Sequence, residues 1–501
     1  MHTSRRTFLT ASLAAATAPA QQGTARRERV HLLMIMADQH RGDCLSCDGH
    51  PAVKTPHLDR LAREGARFRH AYSSTPTCTP ARSGLLTGLS PWNHGMLGYG
   101  RVAERHAFTK PQALRDAGYF TMAIGKNHFS PQRNPHGYHQ LLLDESSRVE
   151  APEFRSDYRS WFAMQAPHRN PDETGISFND YRARPYVLPE HLHPTVWTGD
   201  AAVSFLNNYD RDQPFYLKVS FARPHSPYDP PPRIFHQYEG ANIPARAEAK
   251  WSERNRPRNN QSNEIWRGDL GPDVARHSRQ GYYGVVSQVD EQIGRILETL
   301  EKRGMLERTL IVYFSDHGDM TGDHHLWRKS YAYESSARIP MILRWPTGLI
   351  SAQRGQVNDT PVEIRDIITT LLDAAGAPTQ RQLDGISLLA AASGKASREF
   401  IDLEHDICYD PSNHWNALTD GKWKYIYHAR DGEEQLFHLT QDPLEVRDLA
   451  GDTAHSATLR QWRGRMLQHL SVRGEPFVKG GNLAMRPERL LYSPNYPGKK
   501  T

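Results

Sequence analysis

His31-Leu32-Leu33-Met34-Ile35-Met36-Ala37 runs directly into Asp38-Gln39-His40. A near-continuous apolar run of this length is apolar on both faces, the pattern of a strand buried within a parallel sheet. The same arrangement recurs along the chain. Residues 309–314 (TLIVYF) end at Ser315-Asp316-His317-Gly318-Asp319. Residues 215–221 (FYLKVSF) end near Pro224-His225-Ser226-Pro227, and residues 120–124 (FTMAI) end at Gly125-Lys126-Asn127-His128. A fifth run, 340–345 (PMILRW), ends without such groups. Helical patterns lie between the runs. Residues 109–117 have Thr109 as N-cap, Pro111 in the first turn and Gly118 just past the end. Residues 282–300 place Val285, Val289, Ile293, Ile296, Leu297 and Leu300 on one face. Alternating strands and helices predict an α/β fold with a mostly parallel central sheet flanked by helices. Ligands of such sheets bind beyond the carboxyl ends of the strands, where four of these runs deliver Asp38, Lys126, His128, His225, Asp316 and His317.

The composition sets the frame. The chain has 501 residues, 38% hydrophobic and 24% charged, with 10 Trp, 21 Tyr and 16 Phe to build cores. That is a globular mix, too rich in aromatics for a disordered chain. A net charge of +6 with no Lys/Arg block argues against nucleic acid and suits a small anionic substrate. No apolar run reaches the length of a membrane span. Four cysteines, Cys44, Cys47, Cys78 and Cys408, cannot build a disulfide framework in a chain this long.

From about residue 385 the pattern changes. Residues 391–397 form a small-residue connection, and 423–427 (WKYIY) and 435–439 (QLFHL) flank the polar turn 429–434, a hairpin signal. Residues 459–470 are amphipathic and helical. The expected division is a main domain over 28–384 and a smaller C-terminal α+β subdomain with an antiparallel sheet over 385–501. Residues 230–273, rich in Pro, Asn and Arg, read as an irregular excursion near the site mouth.

At the start, Ser4-Arg5-Arg6-Thr7-Phe8-Leu9, a weakly apolar stretch and Ala18-Pro19-Ala20 follow one another. This order resembles a bacterial twin-arginine signal peptide over residues 1–20 with a small-x-small cleavage site. It implies export in the folded state by the twin-arginine translocase to the periplasm or beyond.

The segment Cys78-Thr79-Pro80-Ala81-Arg82-Ser83-Gly84-Leu85-Leu86-Thr87-Gly88 carries the chemistry. Pro80 suits a first helical turn, Leu85 and Leu86 a core, and Gly88 a helix end. Cys78 then sits at the positive end of a helix dipole, where a thiol is acidified and becomes nucleophilic.

Cys-x-Pro-x-Arg followed by Leu-Thr-Gly resembles the signature of the formylglycine-dependent sulfatases, in the alkaline phosphatase superfamily. Gly125-Lys126-Asn127-His128 is similar to that family's Gly-Lys-x-His, Pro224-His225-Ser226-Pro227 to its Pro-His-x-Pro, and Asp316-His317-Gly318-Asp319 to its second metal strand. Lys329, ahead of Tyr333-Glu334 and Arg338-Ile339-Pro340, matches its later active-site lysine. The resemblance implies an alkaline phosphatase-like fold and hydrolysis of a small-molecule or carbohydrate sulfate ester to inorganic sulfate. A generating enzyme would oxidise Cys78 to 3-oxoalanine (formylglycine), whose hydrate attacks sulfur and later expels sulfate. Asp38, Gln39, Asp316 and His317 would bind a divalent cation. Arg82 and Lys126 would hold the formylglycine, His128 would take its proton, and His225 and Lys329 would clamp the sulfate and protonate the leaving oxygen.

Two departures shape the expectation. Ala37-Asp38-Gln39 stands where many sulfatases have paired aspartates, and Asp316-His317 where Asn is common. Calcium is the expected ion, and the nitrogen neighbour makes manganese or another divalent cation the alternative. The Asp-Gln and Asp-His pairs also resemble the phosphonate monoester hydrolase branch, the alternative activity, whereas the Lys126/His128 pair favours the sulfatase. A non-catalytic exported binding protein is the third reading, opposed by the complete site. Cys44 and Cys47 read as an incidental pair of thiols, His324 and His325 as surface or site-lining groups, and Trp327 as pocket wall or packing.

Overall fold

The computed structural model describes residues 29–379 and 381–498. The twin-arginine segment lies outside the described residues. An eight-stranded sheet forms the centre. In chain order its strands are β1 (His31–Asp38), β2 (Ala66–Phe68), β3 (Phe120–Gly125), β4 (Gln140–Leu143), β5 (Phe215–Pro224), β6 (Thr309–Ser315), β7 (Met341–Arg344) and β8 (Gln356–Asn358). Their spatial order is β4-β3-β5-β1-β6-β7-β2-β8. All neighbours are parallel except β7, which runs antiparallel to both β6 and β2. The run at 340–345 is therefore a strand, and its reversed direction sends its C-terminal end away from the edge where the site forms.

The uninterrupted apolar runs have the expected cause. Along β1, Leu32, Met34 and Met36 face one core with Leu85, Leu86, Ile367, Ile368 and Leu371. Leu33, Ile35 and Ala37 face a second core with Leu58, Leu61, Leu206, Val289, Ile293 and Leu297. The helices that supply these residues are α1 (Pro56–Arg63), α2 (Cys78–Thr87), α4 (Pro194–Asn207), α5 (Pro272–Lys302) and α6 (Ile364–Ala375), with α3 (Lys110–Asp116) beside α6. Helix α5 starts ten residues before the 282–300 pattern, at Pro272, because its polar first turns lie over irregular chain rather than over the sheet core. Thr109 takes the N-cap position of α3, but its hydroxyl donates to His136 O instead of capping the helix.

The C-terminal part is a four-stranded antiparallel meander, β9 (Ile401–His405), β10 (Trp415–Thr419), β11 (Trp423–His428) and β12 (Glu434–His438), followed by α7 (Ser456–Ser471). One face packs on Trp462, Met466 and Leu470 of α7. The other carries Leu403, Trp415, Ala417, Ile426 and Phe437 against Tyr72, Met320, Leu326, Tyr331 and Tyr333 of the main domain. Among the described residues no helix is long and apolar enough to cross a membrane.

At the end of β3, Gly125 has φ +91°, and a Cβ there would lie 2.0 Å from Ser220 O of β5. Gly125→Ala should lower stability by about 1–3 kcal/mol from backbone strain alone, with the steric overlap added. Gly464, inside α7, has open space around its Cβ position. Gly464→Ala should raise stability by about 0.5–1 kcal/mol. Thermal melting of the two variants checks the opposite signs.

Candidate active site

The four adjacent parallel strands β3, β5, β1 and β6 end side by side, so their following residues converge. Helix α2 closes the space above them. Thr77 is extended at the N-cap, and Cys78 opens a helix buried along its whole length. Cys78 Sγ lies 3.2 Å from His317 Nε2 and 3.9 Å from Asp38 Oδ1. One turn later, Arg82 Nε donates to Asp316 Oδ2 at 2.9 Å, Nη2 to Asp38 Oδ2 at 3.0 Å and Nη1 to Lys126 O at 2.6 Å. Lys126 Nζ stands 2.5 Å from Asp38 Oδ2. One guanidinium thus ties together the ends of β1, β3 and β6.

The carboxylates turn their other oxygens toward one point. Asp38 Oδ1 and Asp316 Oδ1 lie 3.6 and 3.7 Å from His317 Nε2. His317 Nδ1 pairs with Gly318 O, so its Nε2 lone pair faces the same space. Ligand atoms of Asp38, Cys78, Asp316 and His317 all lie within 4.8 Å of one another. Two buried carboxylates and an imidazole oriented by a backbone carbonyl form a donor set suited to a divalent cation. Gln39 is placed differently: its Oε1 accepts from Lys329 Nζ at 2.9 Å and its Nε2 donates to Asp319 Oδ2, while its backbone N–H donates to Asp316 Oδ1 at 3.1 Å.

Lys329 Nζ also donates to His225 Nε2 at 2.7 Å, with His225 Nδ1 on Ser226 O at 3.0 Å. The His225 ring stacks on Phe178, with centroids 4.1 Å apart. His128 follows Lys126 in a left-handed conformation, φ 59°. All ten residues expected from the sequence are buried and gather around the N-terminus of α2.

Burial opposes charge throughout, and neighbours decide the outcome. For Asp38, Lys126, then His225, Arg82 and His317, overcome burial and hold the carboxyl well below the usual carboxylate range. Burial and Asp38 push the Cys78 thiol up, but Lys329, His317 and Lys126 bring it below its ordinary value. Burial, reinforced by Arg148 and Lys126, keeps His128 neutral, and burial with Lys329 and Lys126 does so for His225. Burial would also discharge His317, yet Asp316 and Cys78 pull it upward on balance.

The sequence motifs assign no role to several supporting groups. Glu145, fully buried, accepts from the backbone N–H of Asn127 at 2.8 Å and of His128 at 3.0 Å and pairs with Arg148. Asp319 accepts from Tyr228 OH and from Gln39. Thr77 Oγ1 joins Ser330 Oγ at 2.6 Å and His405 Nε2 at 2.7 Å, and Ser330 O accepts from Asn413 and Trp415. The C-terminal sheet therefore buttresses the residues that flank both Cys78 and Lys329. A cavity of about 370 Å³ opens in front of Cys78, walled by Tyr99, His128, Arg148, Phe178, Asn179, Arg328, Lys329, Cys408 and Tyr409.

His324 and His325 are not at the surface: both are buried, and His324 lies against Trp251 with Nε2 on Leu444 O. Trp327 packs on Ile265 and Ala275 and donates to Gly268 O. The Cys44 and Cys47 thiols are free, with burial raising both, Cys47 to about 12.

Comparison with known proteins agrees with this geometry. The sulfatase family profile matches residues 31–377, and the N-sulphoglucosamine sulphohydrolase C-terminal profile matches 322–471. An arylsulfatase of Clostridium perfringens is 34% identical over 472 residues, covering 90% of this chain and 97% of the relative. A choline-sulfatase of Rhizobium meliloti is 30% identical, covering 88% and 86%. The crystal structure of the phosphonate monoester hydrolase of Agrobacterium radiobacter superposes with a TM-score of 0.73 at 26% identity, covering 92% of this chain and all of that one. The chain belongs to the sulfatase family, within the alkaline phosphatase superfamily, and is a sulfuric ester hydrolase.

Glu145→Ala should cost about 1–3 kcal/mol, since two buried N–H groups lose their acceptor, and should lower activity by releasing His128. Glu145→Gln keeps an acceptor oxygen and should retain most of the stability. Melting curves of the pair decide between these outcomes and a Glu145 that is dispensable.

Proposed function

We propose that the protein hydrolyses a sulfate ester with residue 78, oxidised from cysteine to formylglycine, as nucleophile and a divalent cation as electrophile. The observation that carries this reading is the position of Cys78 Sγ, at the start of α2 and within reach of His317, Asp38 and Asp316. Hydrated formylglycine at position 78 would supply one hydroxyl to attack sulfur and a second to expel sulfate. Asp38, Asp316 and His317 would hold the cation, which would supply Lewis acidity toward a sulfate oxygen. Gln39 joins it through its amide oxygen only if that oxygen leaves Lys329. Calcium is the proposed ion, with manganese the alternative favoured by the nitrogen donor.

The chain's own residues do the rest. Arg82 and Lys126 fix the carboxylates and the nucleophile. His128, neutral and beside Lys126, accepts the proton when sulfate is expelled. Lys329 donates to His225 Nε2, so this pair faces the scissile sulfate with a charge and a relayed proton for the leaving oxygen. With three buried cations, three buried carboxylates and the metal, the site carries net positive charge for the singly charged sulfate ester. The Asp38-Gln39 and Asp316-His317 pairs keep a phosphonate monoester activity as the second reading, and paired aryl sulfate and aryl phosphonate substrates discriminate the two. Export by the twin-arginine route, after the generating enzyme has acted, is proposed from Arg5, Arg6 and Ala18-Pro19-Ala20.

Cys78→Ala should abolish turnover with the fold intact by circular dichroism, and chelation should remove activity that added cation restores. Full activity of the alanine variant, or of rigorously metal-free protein, would refute the proposal. His225→Ala should cost a factor of about 10²–10⁴ on an alkyl or sugar sulfate, the range of general acid catalysis. It should cost less on nitrophenyl sulfate, whose phenolate leaves almost unaided. Parallel plots of rate against leaving-group pKa would instead assign His225 to binding alone.

A further inference from the structure

We infer that the cavity in front of Cys78 holds a second anionic group, carried by the leaving group of the substrate and bound by Arg328. This rests on the sulfatase reading of the site and extends it to the substrate class. Arg328 directly precedes Lys329 and sits in a left-handed conformation, φ 65°, in the cavity wall. Its guanidinium lies 4.5 Å over the Tyr409 ring, and Nη2 donates to Asn179 Oδ1 at 2.6 Å. Its Nε is buried with no acceptor among the described residues. Among the described residues no carboxylate lines the cavity and none forms an ion pair with Arg328 there. The other arginine of the wall, Arg148, is different, because Glu145 and Glu150 neutralise it. A guanidinium is charged at every relevant pH, and a half-buried charge without a counterion is costly. A carboxylate or second sulfate on the departing alcohol supplies the missing partner, in a shape the planar fork accepts.

The same geometry disfavours a cationic leaving group. A quaternary ammonium needs free aromatic faces. Here Arg328 lies over Tyr409, while Lys126 lies 4.7 Å over Phe178 and His225 stacks on that same ring. The protein's own cations already occupy two of the three aromatic walls, Tyr99 being the third.

The test uses aryl sulfates bearing a carboxymethyl, a sulfomethyl or, as the neutral match, a carbamoylmethyl arm. The methylene keeps the phenol acidities similar. Wild type should show kcat/KM about tenfold to a hundredfold higher on an anionic arm than on the neutral one, the worth of a charged hydrogen bond. Arg328→Gln should bring that ratio close to one and narrow the gap to choline sulfate. A larger gain on the carboxylate points to a uronate-like substrate, and a larger gain on the sulfonate to a disulfated one; both support the proposal. Equal rates on all three arms with wild type, or an unchanged ratio in the variant, would overturn it. Should the variant not fold, competitive inhibition of wild type by the free phenols decides: stronger inhibition by hydroxyphenylacetate than by its amide supports the subsite, and equal inhibition overturns it. Turnover of phosphonate but of no sulfate would overturn the sulfatase reading instead, and the arm comparison on aryl phosphonates would still test Arg328.

Discussion

Arg82 holds two buried carboxylates at once, Asp38 on β1 and Asp316 on β6, and its third donor reaches the backbone of Lys126 beyond β3. Taking these ions out of water costs several kcal/mol each, which only close, mutually satisfied geometry offsets. That constraint explains why α2 is buried end to end and why its first residue is fixed relative to three strands. The oxygens that Arg82 leaves free are the ones facing His317 and Cys78. Stability and chemistry are thus built on the same two carboxylates, and a lost one would leave a buried guanidinium short of a partner as well as an incomplete cation site.

The C-terminal sheet extends this arrangement. Its inner face packs beneath the chain between Met320 and Ala337, and His405 and Trp415 reach the residues beside Cys78 and Lys329. The segment bearing Arg328, Lys329 and Ser330 contains two left-handed residues, Arg328 and Ser330. Such conformations persist only when surrounding packing fixes them. The smaller subdomain supplies that packing, so it belongs to the site although it brings none of the charged groups.

Much of the fold and of the site core is legible in the sequence because one rule covers both. Strands buried on two faces read as apolar runs, and in a parallel sheet their carboxyl ends share an edge, so Asp38, Lys126, His225 and Asp316 reveal themselves by position. The reversed direction of β7 is not legible, since an apolar run looks the same either way. Glu145, Asp319 with Tyr228, and the walls formed by Tyr99, Phe178, Arg328 and Tyr409 come from loops far apart in the chain. Their meeting depends on tertiary placement that no local period encodes. His324 and His325 read as surface or site-lining groups because they follow a strand end, yet both are buried, His324 against Trp251 and the Leu444 carbonyl and His325 beside Gly268 and Asp269.

The central claim is that residue 78 acts as an aldehyde hydrate beside a bound cation. The most direct measurement is the mass of the peptide containing residue 78 from preparations of graded activity, made with and without a formylglycine-generating enzyme. The account predicts an aldehyde at that position, reducible by borohydride, in a fraction that rises in proportion to activity. Full activity in protein whose residue 78 is entirely thiol would contradict it.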